Sequence, residues 1–157
     1  MTVIIGEQEY FKAIPAIRYE GTESENPLSF RWYDENKVVA GKTMKEHFRF
    51  ACAYWHSFCG SGVDPFGEPT HLFPWNNFNS PLERAKAKAD AAFEFITKLS
   101  LPYYCFHDTD VVEFTNDVAD NEKRLAEITD YLKQKQEASG VKLLWGTANL
   151  FSNRKYM

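Results

Sequence analysis

Short apolar runs alternate along the chain with segments of helical period. Phe50-Ala51-Cys52-Ala53-Tyr54-Trp55 is nearly uninterrupted, the pattern of a strand covered on both faces. Leu101 to Phe106 is a second run, with Pro102 near its first position, where a missing N–H does least harm. Val141 to Trp145 is a third. Between the first two, Leu82, Ala85, Ala89, Ala92, Phe93, Ile96 and Leu99 recur at the three-and-four spacing of one helix face, while Arg84, Lys86, Lys88 and Asp90 lie largely off it. Ser80-Pro81-Leu82-Glu83 starts that helix with an N-cap, a proline in the first position and a capping-box glutamate. Between the second and third runs, Leu125, Ile128, Tyr131 and Leu132 form another helical face. Asp120 can cap its start, and Gly140 sits where a left-handed C-terminal cap belongs. Thr43-Met44-Lys45-Glu46 is a further capping box and predicts a short helix.

The first 42 residues have no comparable period. Gly6, Pro15, Gly21, Pro27 and Gly41 punctuate aromatic clusters such as Tyr10-Phe11 and Phe30-Arg31-Trp32-Tyr33, which predicts an extension that wraps a core. Gly60, Gly62, Pro65, Gly67, Pro69 and Pro74 make the stretch after the first run a loop. Strand, loop, helix, strand, loop, helix, strand is the alternation of parallel β/α units with right-handed crossovers, so the predicted class is α/β.

Composition narrows the function. Across 157 residues, 44% hydrophobic and 16% aromatic content supports a packed core. The net charge of -4 comes from interleaved acids and bases, with no basic stripe to neutralise phosphates, so no nucleic-acid partner is expected. The most apolar stretch, 48–59, is broken by Arg49 and His56 and falls short of the roughly 20 apolar residues of a membrane helix, so no membrane partner is expected either. The start, MTVIIGEQEYF, carries no secretory pattern, and the expected compartment is the cytoplasm. Cys52, Cys59 and Cys105 form no Cys-x-x-Cys pair and read as small buried hydrophobes in a reducing compartment.

Polar residues gather at three predicted strand ends: Trp55-His56, His107 to Asp110, and Thr147 to Phe151. Catalytic side chains of closed β/α barrels come from such ends. A carboxylate three residues after a histidine can accept one imidazole N–H, fixing the tautomer and leaving the other nitrogen for a substrate proton. Taken alone, His-Asp-x-Asp serves equally to solvate a loop or cap a helix. Trp55, Phe66, Trp75 and Phe151 can be core packing. His56 is expected to hydrogen-bond within the aromatic cluster, and His71 to belong to the loop.

Five ordered motifs change those weights: Gly-Lys-Thr-Met-Lys-Glu-His (41–47), Tyr-Trp-His-Ser-Phe (54–58), Asp-Pro-Phe-Gly (64–67), Tyr-Cys-Phe-His-Asp-Thr-Asp (104–110) and Leu-Leu-Trp-Gly-Thr-Ala-Asn-Leu-Phe (143–151). In this order they closely resemble xylose isomerases. The likeness is to the longer-chain class, whose amino-terminal extension is similar to residues 14–45, including Tyr19-Glu20-Gly21 and Asn26-Pro27-Leu28.

The resemblance implies an extension over residues 1–42. Over residues 43–157 it implies the first two β/α units and third strand of a TIM (β/α)8 barrel, the rest of the barrel being absent from this chain. A whole barrel takes about 250 residues. It further implies conversion of D-xylose to D-xylulose, with His107 moving a proton on the cyclic sugar and Asp110 holding the imidazole. Trp55 would be an apolar wall of the sugar pocket, Thr147 and Phe151 would line it, and Phe66 would reach into a neighbouring subunit's site in a homotetramer.

Two divalent cations, Mg²⁺ with Mn²⁺ or Co²⁺ as alternatives, would polarise the sugar for a hydride shift from C2 to C1. They would be bound by later segments, so no metal ligand is assigned here and the rest of an isomerase chain is an expected partner. The 157 residues alone are expected to be inactive. The alternative is a non-catalytic sugar-binding or subunit-pairing fragment. A different barrel enzyme using the His107 and Asp110 cluster for metal-dependent hydrolysis fits the five motifs poorly.

Overall fold

The computed structural model describes residues 1–63 and 65–151; Asp64 of the Asp-Pro-Phe-Gly motif and residues 152–157 lie outside the described residues. Local signals place most elements. A two-residue hairpin, β1 (Val38–Val39) with β2 (Lys42–Thr43), leads into α1 (Met44–His47). The expected capping box opens that helix: the Glu46 N–H donates to Thr43 Oγ1 at 3.3 Å, and Glu46 Oε2 accepts the Thr43 N–H at 2.7 Å.

The apolar run 50–55 divides into two elements. Only β3 (Ala51–Ala53) is extended, and Tyr54–Phe58 coils into α2. Tyr54 and Phe58 are both buried, and their rings meet edge-on at 5.1 Å, an adjacency that residues four apart obtain from a helical turn. Core packing overrides the extended reading of the run there.

α3 (Pro81–Lys98) begins at the expected cap, with the Ser80 N–H donating to Glu83 Oε2 at 3.2 Å. β4 (Tyr103–His107) starts after Pro102 and runs one residue past the predicted end, so His107 is itself the strand tip. Asp108–Val111 then forms α4, a single turn. α5 (Val118–Ser139) is capped by Asp117 rather than Asp120: Asp117 Oδ1 accepts the Asp120 N–H at 3.2 Å. Gly140, at φ 79°, ends it as expected. β5 (Lys142–Thr147) follows.

β3, β4 and β5 form a parallel sheet in chain order, so the predicted α/β alternation stands. Cys52, Tyr104 and Phe106 of one face bury against Tyr54, Phe93, Ile96, Ile128 and Leu132, which join the sheet to α2, α3 and α5. Alternation turns Ala51, Ala53, Cys105 and His107 to the other face. Among the described residues β5 pairs only with β4, and all six of its residues are exposed, including Leu143, Leu144 and Trp145.

α3 is covered on a second side. Asp90, off the apolar stripe, is 4% exposed and Glu94 is fully buried, because the start of the chain crosses them. Glu94 Oε2 and Oε1 accept the N–H groups of Tyr10 and Phe11 at 2.7 and 2.9 Å, Asp90 Oδ2 accepts that of Glu7 at 3.1 Å, and Thr97 Oγ1 that of Ile4 at 3.2 Å. Lys98 Nζ donates to Glu94 Oε1 at 2.7 Å, the Phe11 carbonyl at 2.7 Å and Glu9 Oε1 at 3.0 Å. Asp90 is also held by Lys135 and by the Tyr131 hydroxyl at 2.7 Å. An irregular segment without ladder partners thus finds side-chain acceptors for its amides. Gly6 permits the approach: a Cβ there would lie 2.0 Å from Asp90 Cγ.

These groups set an alkaline limit on stability. Burial raises the phenols of Tyr54, Tyr104 and Tyr131, and the hydrogen bond to Asp90 raises Tyr131 further. Burial opposes the charge of Lys98, but its hydrogen bonds and attraction to Glu94 and Glu9 outweigh this and raise its pKa. Each folded value lies above the unfolded one, so the contribution is whole below about pH 10 and lost as pH rises further. The melting temperature is expected to fall steeply between about pH 10 and 11, and Tyr131→Phe is expected to shallow that fall. An unchanged melting temperature across this range would refute the burial of these groups.

Candidate active site at the strand tips

His107 ends β4 and Asp110 lies one turn further, at the third position of α4. The geometry of that turn folds the carboxylate back: Asp110 Oδ2 accepts the His107 backbone N–H at 2.7 Å and lies 3.0 Å from His107 Nδ1. With an ionised carboxylate, which only accepts, this geometry favours the tautomer that carries the ring proton on Nδ1 and leaves Nε2 as an acceptor. Asp110 is buried, while the imidazole remains partly open.

Two indoles and the ring form a three-membered aromatic cluster. Trp55, from α2, has its centroid 4.9 Å from that of His107, and Trp145, from β5, meets His107 edge-on at 5.6 Å. The indoles are 5.3 Å apart. Trp145 is the residue that sequence reasoning missed, since it reads only as part of an apolar strand. It reaches this side through a register shift: Tyr104 pairs with Leu143, but Cys105 pairs with Trp145. Without the extra residue, Trp145 would oppose Phe106 and turn to the helix-covered face. The same shift sets Thr147 directly beside His107 in the ladder.

Asp108 links the two tips. Its Oδ1 accepts the N–H of Thr109 and that of Asn149, both at 2.8 Å, and Asn149 Nδ2 donates to Thr109 Oγ1 at 3.3 Å. Of the sequence-derived residues, His107, Asp110, Trp55 and Thr147 therefore come together. Phe151 does not: it is 95% exposed, without a ring partner among the described residues. Phe66 is 96% exposed on its loop. His56 also departs from expectation. It is exposed beside Trp55, with ring centroids 5.6 Å apart, and makes no hydrogen bond among the described residues, because its position on α2 turns to solvent.

Cys52 and Cys105 are buried and Cys59 half-buried; all three are free thiols whose pKa burial raises, in keeping with the hydrophobe reading. Among the described residues no three His, Cys, Asp or Glu side chains converge on a metal position. The nearest carboxylates are committed, Asp110 to His107 and Asp108 to backbone amides, so these residues do not fit a divalent cation. A cavity of about 450 Å³ lies at the other end of the sheet, lined by Tyr19, Phe30, Tyr33, Phe50 and Leu101. No helix among the described residues is long and apolar enough to cross a membrane.

Fold and site together define an α/β protein with an acid-oriented histidine at the tips of a parallel sheet. No family model matches the chain. It is 58% identical over 156 residues to Xylose isomerase 2 of Xanthomonas campestris pv. campestris, 57% identical over 156 residues to the Xylose isomerase of Xanthomonas oryzae pv. oryzae, and 55% identical over 153 residues to Xylose isomerase 1 of Xanthomonas axonopodis pv. citri. The resemblance to xylose isomerases thus holds over 98–99% of this chain, which spans 35% of the length of each of these curated relatives.

Proposed function

We propose that these residues are the ring-opening part of an aldose–ketose isomerase that converts D-xylose to D-xylulose, built as the opening portion of a TIM barrel. The observation that carries the reading is the His107 Nδ1 to Asp110 Oδ2 contact of 3.0 Å, with the ring packed against a pair of touching indoles. Nε2 of His107 takes the proton of the anomeric hydroxyl and returns one to the ring oxygen, which opens the pyranose to the aldehyde. Asp110 holds the tautomer and stabilises the imidazolium. Trp55, joined by Trp145, covers the C–H face of the sugar, and the Thr147 hydroxyl meets its oxygens. Phe151 lines the same site, and Phe66 serves a neighbouring subunit's site in a cytoplasmic homotetramer.

The resemblance also implies Mg²⁺, Mn²⁺ or Co²⁺. The residues described here do not form their site, so no part of the hydride shift is assigned to them, and the ligands belong to other segments of an isomerase chain. The test is xylulose production by the purified chain, alone and after adding the remaining segment of the Xanthomonas campestris relative, with Mg²⁺ and after chelation. Turnover is expected only in the combined, metal-containing sample; turnover that persists in the chelated sample would overturn the reading. A non-catalytic, subunit-pairing role is favoured by a separate feature, the exposed edge of β5 with Leu143, Leu144 and Trp145. Under that reading the combined sample gains mass in solution without gaining activity.

A further inference from the structure

α4 is a single turn, and such a turn does not hold itself. Its closing hydrogen bond, from the Val112 N–H to the Asp108 carbonyl, is 3.5 Å long, at the limit of a useful bond. Yet this turn places Asp110 Oδ2 against two groups of His107 at once. Something outside the turn must fix it.

That support comes from α3. Lys88 Nζ donates to the Asp110 carbonyl at 2.8 Å, and Cys59 Sγ lies 3.5 Å from the same oxygen and 3.7 Å from Nζ. Lys88 forms no ion pair among the described residues, although its charge is felt at Glu113, and its ammonium is directed at a helix-end carbonyl. One turn earlier, Arg84 grips Glu113 through two hydrogen bonds of 2.8 and 2.7 Å, and Arg124 donates to the Glu113 carbonyl at 3.2 Å. The turn is thus anchored at Asp110 and again three residues later.

We propose that Lys88 is a positioning residue for the His107–Asp110 pair, a role that rests on the isomerase reading for its purpose but not for its detection. Removing the ammonium frees the Asp110 carbonyl to water, loosens the turn and lets Oδ2 leave Nδ1, so the ring divides between tautomers.

Ring-nitrogen NMR of the ¹⁵N-labelled chain at about pH 8, where an ordinary histidine is neutral, reads this directly without sugar or metal. The wild-type His107 ring is expected to show one tautomer, protonated at Nδ1. Lys88→Met is expected to lose that signature while the amide spectrum of the sheet is kept, and Lys88→Arg to regain it. A single-tautomer ring in Lys88→Met, or a mixed ring already in the wild type, overturns the proposal. Should Lys88→Met not fold, Lys88→Leu takes its place and the same two results decide. Failure of the isomerase reading would appear in the xylulose assay, not in this spectrum.

Discussion

Glu94→Gln is expected to destabilise the chain by about 3–5 kcal/mol, the usual effect of removing one partner from a buried ion pair. The substitution keeps the shape of the side chain. It leaves the Lys98 ammonium without its closest counter-charge and turns an amide NH₂ toward the Tyr10 or Phe11 N–H, a donor facing a donor. Against a total stability of about 5–15 kcal/mol this is a large fraction. Glu113→Gln is the control: Glu113 is well exposed beside Arg84, and such pairs contribute about 1 kcal/mol or less. Urea unfolding followed by circular dichroism compares the two. Equal midpoints would mean that the start of the chain does not rest on α3 as described.

The second large effect concerns chemistry. In a preparation that turns over xylose, His107→Ala is expected to lower kcat by about 10²–10⁴, the span that one positioned acid–base group supplies. Asp110→Asn is expected to fall in the same direction. Its amide can still lie near Nδ1, but it does not stabilise the imidazolium and can present a donor to the ring, favouring the wrong tautomer. Steady-state xylulose formation measures both. Normal kcat in His107→Ala would remove the imidazole from the reaction.

What could be read before the structure was what is local. Thr43 with Glu46, Ser80 with Glu83, and Gly140 each act over three or four residues, and each stands where its pattern placed it. The parallel order of β3, β4 and β5 followed from the alternation of periods. Misreadings arose where distant residues decide. Tyr54 reads as strand until its contacts with Phe58, Tyr104 and Phe106 are known. Asp90 and Glu94 read as ordinary polar positions of a helix, because the amides that occupy them lie more than eighty residues earlier.

The site divided along the same line. The His107–Asp110 pair is written in four consecutive residues, and motif order pointed to Trp55 and Thr147. Trp145 was hidden because a one-residue shift in strand pairing chooses its side, and no side-chain pattern within β5 encodes such a shift. Asp108 read only as a member of a polar cluster, its partner Asn149 lying 41 residues away.

The amide groups of Ile4, Glu7, Tyr10 and Phe11 have their acceptors 93, 83, 84 and 83 positions downstream. During synthesis residues 4–11 therefore leave the ribosome well before the helix that receives them has been made. At about 5–20 residues per second they wait for several seconds with their hydrogen-bonding groups open to water and to chaperones. Residues 4–11 are thus expected to settle only after α3 has formed.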